Sequence, residues 1–192
     1  VEHLTVSYQT KPVLVDVTFS VNPGQVVGIL GPNGAGKSTV IKSIMGFIDR
    51  DYGEVRIYDD KVRDARGKVA YVPQRGQIDW QFPVSVWDVV LMGRYQHVPW
   101  YRSLRHKDRQ IARQALKDVR MEEFKGRQIG QLSGGQQQRV FMARALAQES
   151  EILLLDEPFA GVDAATERAI AGLLGEFRQA NKTVIVVHHD LE

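Results

Sequence analysis

The stretch GPNGAGKST, residues 31–39, fits the pattern G-x-x-x-x-G-K-[S/T] at Gly31, Gly36, Lys37 and Ser38. Glycines let the backbone curl, so that successive N–H groups and the start of the next helix face one anion. A lysine at this place reaches nucleotide β- and γ-phosphates, and the hydroxyl after it ligates Mg²⁺. A glycine-rich turn beside a surface lysine is the alternative, but background frequencies give a chance match on the order of once in a hundred chains of this size. The stretch therefore predicts a phosphate-binding loop.

The segments on either side of the loop have the context that such a loop requires. QVVGIL (25–30) is a short, continuously apolar run, which predicts a buried parallel strand. The segment after the loop has helical spacing of its apolar residues, at Val40, Ile41, Ile44 and Met45. The order strand, glycine loop, helix strengthens the prediction.

The rest of the chain alternates between strand and helix patterns. Period-two or apolar runs predict strands at 4–8, 13–21, 54–58, 68–74, 151–158 and 183–189. In the second of these, one face is expected to carry Val15, Val17, Phe19 and Val21. Apolar residues spaced three and four apart predict helices at 85–95, 108–119, 139–148 and 165–180. In the helix at 139–148, the residues expected to face inward are Val140, Phe141, Ala143 and Leu146. These patterns predict an α/β fold with a helical insertion between its halves.

Bulk composition excludes several classes of protein. The net charge of +2 gives no electrostatic case for nucleic acid, although the pI is about 8.9. With no cysteine there are neither disulfides nor thiolate metal sites. No apolar run reaches the roughly 18 residues of a transmembrane helix. Two features predict that the chain is truncated: it has no initiator Met, and it stops at HHDLE, immediately after an apolar strand.

Two carboxylates follow the apolar run ILLL, at Asp156 and Glu157. Ligands bind at the carboxyl ends of strands in open parallel sheets. Adjacent carboxylates repel each other, so this pair implies a cation or two separate tasks. Asp156 is expected to hold Mg²⁺ through its water shell, and Glu157 to accept a proton from the attacking water. A strand end that becomes polar where it meets solvent is the alternative.

A second glycine motif, LSGGQ (132–136), lies about a hundred residues after the first. Ser133 is a good N-cap, and the two glycines would expose backbone N–H groups at a helix start. A plain capped helix explains this segment equally well. Gln74 after one strand, and His188 and His189 at the end of another, are weak signals when each is taken alone.

Taken in order, GPNGAGKST, Gln74, LSGGQ, ILLLDE and a histidine before Asp190 resemble the nucleotide-binding subunit of ATP-binding-cassette (ABC) transporters. The resemblance runs from about Leu4 to the last residue. It implies a P-loop NTPase fold, with a RecA-like core sheet at 1–79 and 148–192 and an inserted helical subdomain at 80–147. Members of the family usually continue for several elements beyond the switch histidine, so the chain is expected to be incomplete.

The resemblance also implies the roles of individual residues. Two copies pack head to tail, and the signature motif of one chain closes over the ATP of the other. The ATP-binding set is then Tyr8, which stacks on adenine, with Gly31, Pro32, Asn33, Gly34, Ala35, Gly36, Lys37, Ser38 and Thr39. The signature residues are Ser133, Gly134, Gly135 and Gln136, and the loop at the dimer seam contains Asp163. The catalytic set is Glu157, Gln74 and the switch residue His189, with His188 as its substitute. The Mg²⁺ ligands are Ser38, Gln74 and Asp156.

Within the family, residues 70–95, LSGGQQQRVFMARALAQ and DEPFAGVDAATE look like the ATPases of bacterial manganese, zinc or iron importers. This implies an ATPase at the cytoplasmic face of the membrane, with a membrane permease, a substrate-binding protein and no nucleic acid as partners. The segment around Asp79, Trp80 and Phe82 lies where the family docks its membrane subunit, although the two aromatics could equally cap the helical subdomain.

Three alternatives stay open. One is an importer of another solute. The second is a soluble ABC protein that acts on DNA or ribosomes. It is disfavoured because the chain has neither a long coiled coil nor a second cassette. The third is an inert nucleotide-binding module. It predicts loss of Lys37, Glu157 or the switch histidine, and all three are present.

Overall fold

The computed structural model describes residues 1–188. Its strands are β1 (Glu2–Tyr8), β2 (Lys11–Val17), β3 (Val26–Leu30), β4 (Tyr52–Glu54), β5 (Arg56–Ile57), β6 (Asp60–Lys61), β7 (Val69–Val72), β8 (Ile152–Asp156) and β9 (Thr183–His188). Its helices are α1 (Lys37–Ile44), α2 (Val62–Ala65), α3 (Val86–Met92), α4 (His106–Asp118), α5 (Gly134–Ala147) and α6 (Ala164–Gln179). All five predicted helical segments, including the one after the glycine loop, are helical, so the predicted α/β pattern is confirmed.

The chain divides into two compact units. The first comprises Val1–Tyr71, Glu151–Glu157 and the residues from Phe177 onward. The second comprises Val72–Ser150 and Pro158–Glu176. The finer division into a RecA-like core and a helical subdomain at 80–147 stays a prediction.

A four-stranded sheet in the order β3-β9-β8-β7 forms the centre of the first unit. Strand β9 runs parallel to both β3 and β8. Strands β8 and β9 are buried almost throughout, as their apolar runs predict. The prediction that β3 is buried is wrong in part, because Val26 and Leu30 are exposed. Within residues 1–188, β3 lies at the edge of this sheet, which leaves one flank of the strand uncovered.

A second sheet, in the order β2-β1-β4, is antiparallel and contains a bulge. Leu4 pairs with Val17, but Val6 pairs with Leu14, so three steps on β2 face two steps on β1. One extra residue reverses the alternation of side chains. Leu14 is therefore buried and Val15 is 68% exposed, which makes the prediction of a shared face that includes Val15 wrong.

The second unit is built around α5, which packs against α3 and α4. The predicted inward residues Val140, Phe141 and Ala143 are buried, whereas Leu146 is only partly buried. Helix α3 begins with a capping box between Ser85 and Asp88. No helix in residues 1–188 is long and apolar enough to cross a membrane.

Candidate nucleotide site

The phosphate-binding loop joins β3 to α1, and two of its glycines have left-handed backbones. Gly34 has a φ of +82° and Gly36 a φ of +89°. A Cβ added at Gly36 would lie 2.7 Å from Cδ2 of Leu14 and 3.2 Å from the carbonyl oxygen of Val13. Among residues 1–188, no atom lies within 4 Å of a Cβ added at Gly34. Gly36 is thus required both for its conformation and for space, and Gly34 for its conformation.

Helix α1 starts without a side-chain cap. Its N-cap is Gly36, which has no side chain that could accept from the N–H groups of the first turn. The first helical residue, Lys37, is 7% exposed, and its ammonium donates to the carbonyls of Gly31 at 2.7 Å and Pro32 at 2.9 Å. The N-terminus of α1 therefore combines a positive charge with uncapped N–H groups, and both of these favour binding of an anion.

The carboxylate of Asp156 lies at the carboxyl end of β8 and is completely buried. It accepts hydrogen bonds from the Ser38 hydroxyl at 2.9 Å and from the Tyr71 hydroxyl at 3.3 Å. Burial raises the pKa of Asp156, and the two hydrogen bonds and Lys42 only partly oppose this. Burial and the nearby carboxylate also raise the pKa of Tyr71. Sequence reasoning missed Tyr71, because one tyrosine in an apolar strand is usually a core residue.

The Ser38 and Asp156 oxygens suit Mg²⁺, a hard cation that binds oxygen ligands. In residues 1–188 no group of three or more His, Cys, Asp or Glu side chains is arranged for a metal ion. Mg²⁺ needs no such cage, since it is commonly held by one or two protein oxygens together with water and substrate phosphates. The residues present therefore fit this ion.

Glu157 follows Asp156 directly, with its backbone in the left-handed region at a φ of +50°. Its N–H donates to the carbonyl of Val187 at 3.0 Å, which holds this conformation in place. A non-glycine residue in this region is strained, and such strain is concentrated at functional sites. The left-handed backbone of Glu157 also ends the strand alternation, so that Asp156 has a strand conformation and Glu157 does not.

Two further predicted residues, Tyr8 and His188, belong to strands of the first unit. Tyr8 ends β1 opposite Lys11 and is 47% exposed. His188 pairs with Leu30, the residue before the loop. The predicted switch residue His189 lies outside the described residues.

The signature motif lies in the second unit, at the start of α5. The Ser133 hydroxyl accepts from the N–H of Gln136 at 3.4 Å, and the Gln136 side chain accepts from the N–H of Ser133 at 2.9 Å. This is a capping box, so the predicted N-cap is confirmed. Both glycines are tightly packed, because a Cβ at Gly134 would lie 2.9 Å from Nη1 of Arg75, and one at Gly135 would lie 2.4 Å from Cγ2 of Thr166.

Asp163 stands just before α6 and accepts from the N–H of Thr166 at 2.8 Å. Hydrogen bonds to the backbone and side chain of Thr166 lower the pKa of Asp163. Since Thr166 also packs on Gly135, the structure brings Asp163 and the signature motif together. Gln74 belongs to the same unit, where its carbonyl accepts from Gln77 in a short 3₁₀ turn.

The two aromatics of the predicted docking segment differ. The Trp80 ring packs edge-to-face on Phe141 in the middle of α5, with ring centroids 5.4 Å apart. This agrees with the alternative interpretation, in which the aromatic covers the helical subdomain. Phe82 is 58% exposed.

Comparison with known proteins identifies the family. The sequence profile of the ABC transporter family matches residues 14–160. The chain belongs to the ABC transporter family. It is 54% identical to the manganese transport system ATP-binding protein MntB of Halalkalibacterium halodurans, over 100% of this chain and 76% of that protein. It is 50% identical to the zinc transport system ATP-binding protein TroB of Treponema pallidum, over 100% of this chain and 72% of that one.

A solved ABC cassette has the same fold. The dimeric post-hydrolysis structure of the ATP-binding cassette MJ0796, bound to ADP and Pi, superposes with a TM-score of 0.85 at 30% identity. The match covers 99% of this chain and 87% of that one. The predicted P-loop NTPase fold is thus confirmed, and the chain is an ATPase of the ABC class. Cassettes of this class form dimers and belong to transporters with membrane components.

Proposed function

We propose that this ABC ATPase powers a bacterial importer of a divalent metal ion, Mn²⁺ or Zn²⁺, from the cytoplasmic face of the membrane. The names of the relatives at 54% and 50% identity, a manganese and a zinc transport protein, support this cargo. The partners would be a membrane permease and, through it, a substrate-binding protein. No residue of this chain needs to touch the ion.

The hydrogen bond between Ser38 and the buried carboxylate of Asp156 carries the proposal of ATP hydrolysis at this site. It joins the phosphate loop to the strand end that bears Glu157. Lys37 would leave the loop carbonyls to pair with the β- and γ-phosphates, and the uncapped N–H groups of α1 would bind phosphate oxygens. Tyr8 would stack on the adenine.

Ser38 and Asp156 would hold Mg²⁺, with Gln74 as a further ligand. When bound, Mg²⁺ supplies charge that offsets the charge developing on the phosphate oxygens. Glu157 would accept the proton of the water that attacks the γ-phosphorus, as ADP leaves with the bridging oxygen. His189, or His188 in its place, would contact the γ-phosphate.

The signature residues Ser133–Gln136 would act on the ATP of a second copy in a head-to-tail dimer, and Asp163 would lie at the seam. The dimeric form of the similar cassette supports this arrangement. The packing of Asp163 and the signature glycines around Thr166 within one unit also supports it, because both would then face the partner together.

The test replaces Glu157 with Gln at the chromosomal locus and measures whole-cell manganese, zinc and iron by elemental mass spectrometry. We expect a selective fall in manganese or zinc, since removal of a general base slows turnover by about a hundredfold or more. Exposed Glu123 provides the control as Glu123→Gln. Unchanged metals during metal-limited growth would refute the cargo while the ATPase assignment stands.

A second readout separates chemistry from assembly. Purified Glu157→Gln protein should accumulate with ATP as a dimer on a sizing column, because closure precedes the blocked step. A variant that stays monomeric with ATP would contradict the head-to-tail proposal.

A further inference from the structure

Arg75 follows Gln74 directly and is bonded to the beginning of α5. Its Nε donates to Oε1 of Gln137 at 3.0 Å, and Gln137 is 3% exposed. The other amide atom, Nε2 of Gln137, donates to the carbonyl of Ile129 at 3.2 Å. This second bond fixes the orientation of the amide, so that its oxygen must face the guanidinium group.

Trp80 holds Arg75 from another side. Its Nε1 donates to the carbonyl of Arg75 at 2.9 Å, and the Arg75 guanidinium carbon lies 5.9 Å from the centroid of its ring. The same ring packs on Phe141, two turns into α5. The segment after Gln74 is therefore attached to α5 at two separate points, Gln137 and Phe141.

The guanidinium group also lies against the signature motif itself. A Cβ at Gly134 would come within 2.9 Å of Nη1 of Arg75 and 3.0 Å of its guanidinium carbon. Gly134, the first residue of α5, thus lies against the side chain of Arg75, the residue that follows Gln74 in the chain. If Arg75 moved, either the first turn of α5 would move with it or the close contact between the guanidinium group and Gly134 would be lost.

We propose that Arg75 is a positioning residue for ATP hydrolysis, which holds Ser133–Gln136 in a fixed place relative to Gln74. This inference rests on the proposed roles of Gln74 and the signature motif. Arg75 acts through these residues. The planar guanidinium is needed, because it places Nε against Gln137 and Nη1 beside Gly134 at the same time, and a lysine has a single side-chain nitrogen.

The experiment measures MgATP hydrolysis by the transporter complex purified from membranes through a tag on this chain. Arg75→Met, Gln137→Ala and the double variant are compared. Each single variant should lower kcat about tenfold, because small misplacement of positioning groups is costly. The loss in the double variant should be clearly smaller than the product of the two single losses, because both changes break the same Arg75–Gln137 hydrogen bond. Arg75→Lys should lose most of the same rate, and the affinity of the isolated chain for ATP should not change.

Arg113→Met is the matched control, since the Nε of Arg113 likewise donates to a side chain of the same unit, that of Glu122. It should keep wild-type kcat. Multiplicative losses in the double variant, full activity of Arg75→Lys, or a lower Tm with kcat unchanged would each overturn the proposal. Because the readout is ATP hydrolysis, a complex that hydrolyses ATP without moving metal refutes the cargo alone. Wild-type turnover by Glu157→Gln would refute the site roles separately.

Discussion

The helices α1 and α5 both begin at a glycine-rich motif, but their N-termini are prepared in opposite ways. Helix α1 begins after Gly36, with no side-chain cap and with Lys37 bent back over the loop carbonyls. Helix α5 begins inside a complete capping box between Ser133 and Gln136. The orphan N–H groups of a helix start need partners. The first helix has no side-chain acceptor of its own for them, whereas the second satisfies one of them, the N–H of Gln136, with the side chain of Ser133.

This difference assigns different tasks to the two motifs. A phosphate group that binds at α1 displaces the bonds from the Lys37 ammonium to the loop carbonyls. A phosphate that approaches α5 competes with an existing cap, so it binds there only when other contacts already hold it. An isolated chain should therefore bind ATP through α1, and the α5 motif should matter only in the dimer.

The largest expected effect tests this asymmetry directly. Lys37→Ala should weaken ATP binding by the isolated chain about a hundredfold, because charge-assisted contacts to phosphate are lost. Ser133→Arg should leave that affinity unchanged and abolish turnover of the dimer, because this serine would serve the partner's ATP. Titration calorimetry with MgATP measures the first effect, and steady-state ATPase assays measure the second.

Lys42→Ala, at the other end of α1, is the control for the lysine. Equal losses of affinity in Lys37→Ala and Ser133→Arg would show that both helix starts bind the same nucleotide in one chain. The contrast between them would then be lost.

The next effect concerns the backbone of the α1 loop. Gly36→Ala should lower the free energy of unfolding by about 2–3 kcal/mol, since left-handed strain and overpacking against Leu14 add together. Gly34→Ala has the same strain but open space, and should cost about 1 kcal/mol. Urea unfolding compares the two. Equal costs would mean that the contact with Leu14 relaxes freely.

A smaller effect is expected at the α5 cap. Ser133→Ala should cost about 1 kcal/mol of unfolding free energy, because an N-cap acceptor is lost. Ser85→Ala removes the corresponding cap of α3 and should cost a similar amount. Thermal unfolding of the two variants provides the measurement. A loss at Ser85 without one at Ser133 would mean that the box at α5 contributes nothing to stability.

The sequence predicts both helix starts, but not the difference between them. Local patterns specify the glycine loop, the Ser133 cap and the buried strands β8 and β9, because each depends on residues close together in the chain. The exposure of Val15 depends on a bulge created by pairing with β1, and that of Val26 on the edge position of its strand. These depend on distant partners, which a local pattern does not contain.

The same limit applies within the site. Asp156 and Glu157 are evident from a strand that ends in two carboxylates. The hydrogen bond from Tyr71 to Asp156 spans 85 positions, and that from Arg75 to Gln137 spans 62. A tyrosine in an apolar strand and an arginine in a loop each have an ordinary explanation until their partners are known.

The smallest effect is a dependence on pH that should appear beside α1 and not at α5. Burial raises the pKa of Asp156 above that of the unfolded chain. Between these two pKa values the folded state binds more protons than the unfolded state, so the stability contributed by neutral Asp156 is present below about pH 4 and is lost as pH rises. Urea unfolding from pH 4 to 7 should therefore show the stability of wild type falling relative to Asp156→Asn.

The capping box at α5 is the control for this pH dependence. Its two side chains, Ser133 and Gln136, are both neutral, so the cost of Ser133→Ala in unfolding free energy should stay constant over this range. A wild-type stability that rises relative to Asp156→Asn would mean that the hydrogen bonds from Ser38 and Tyr71 outweigh burial, and that the carboxylate is already charged before any cation arrives.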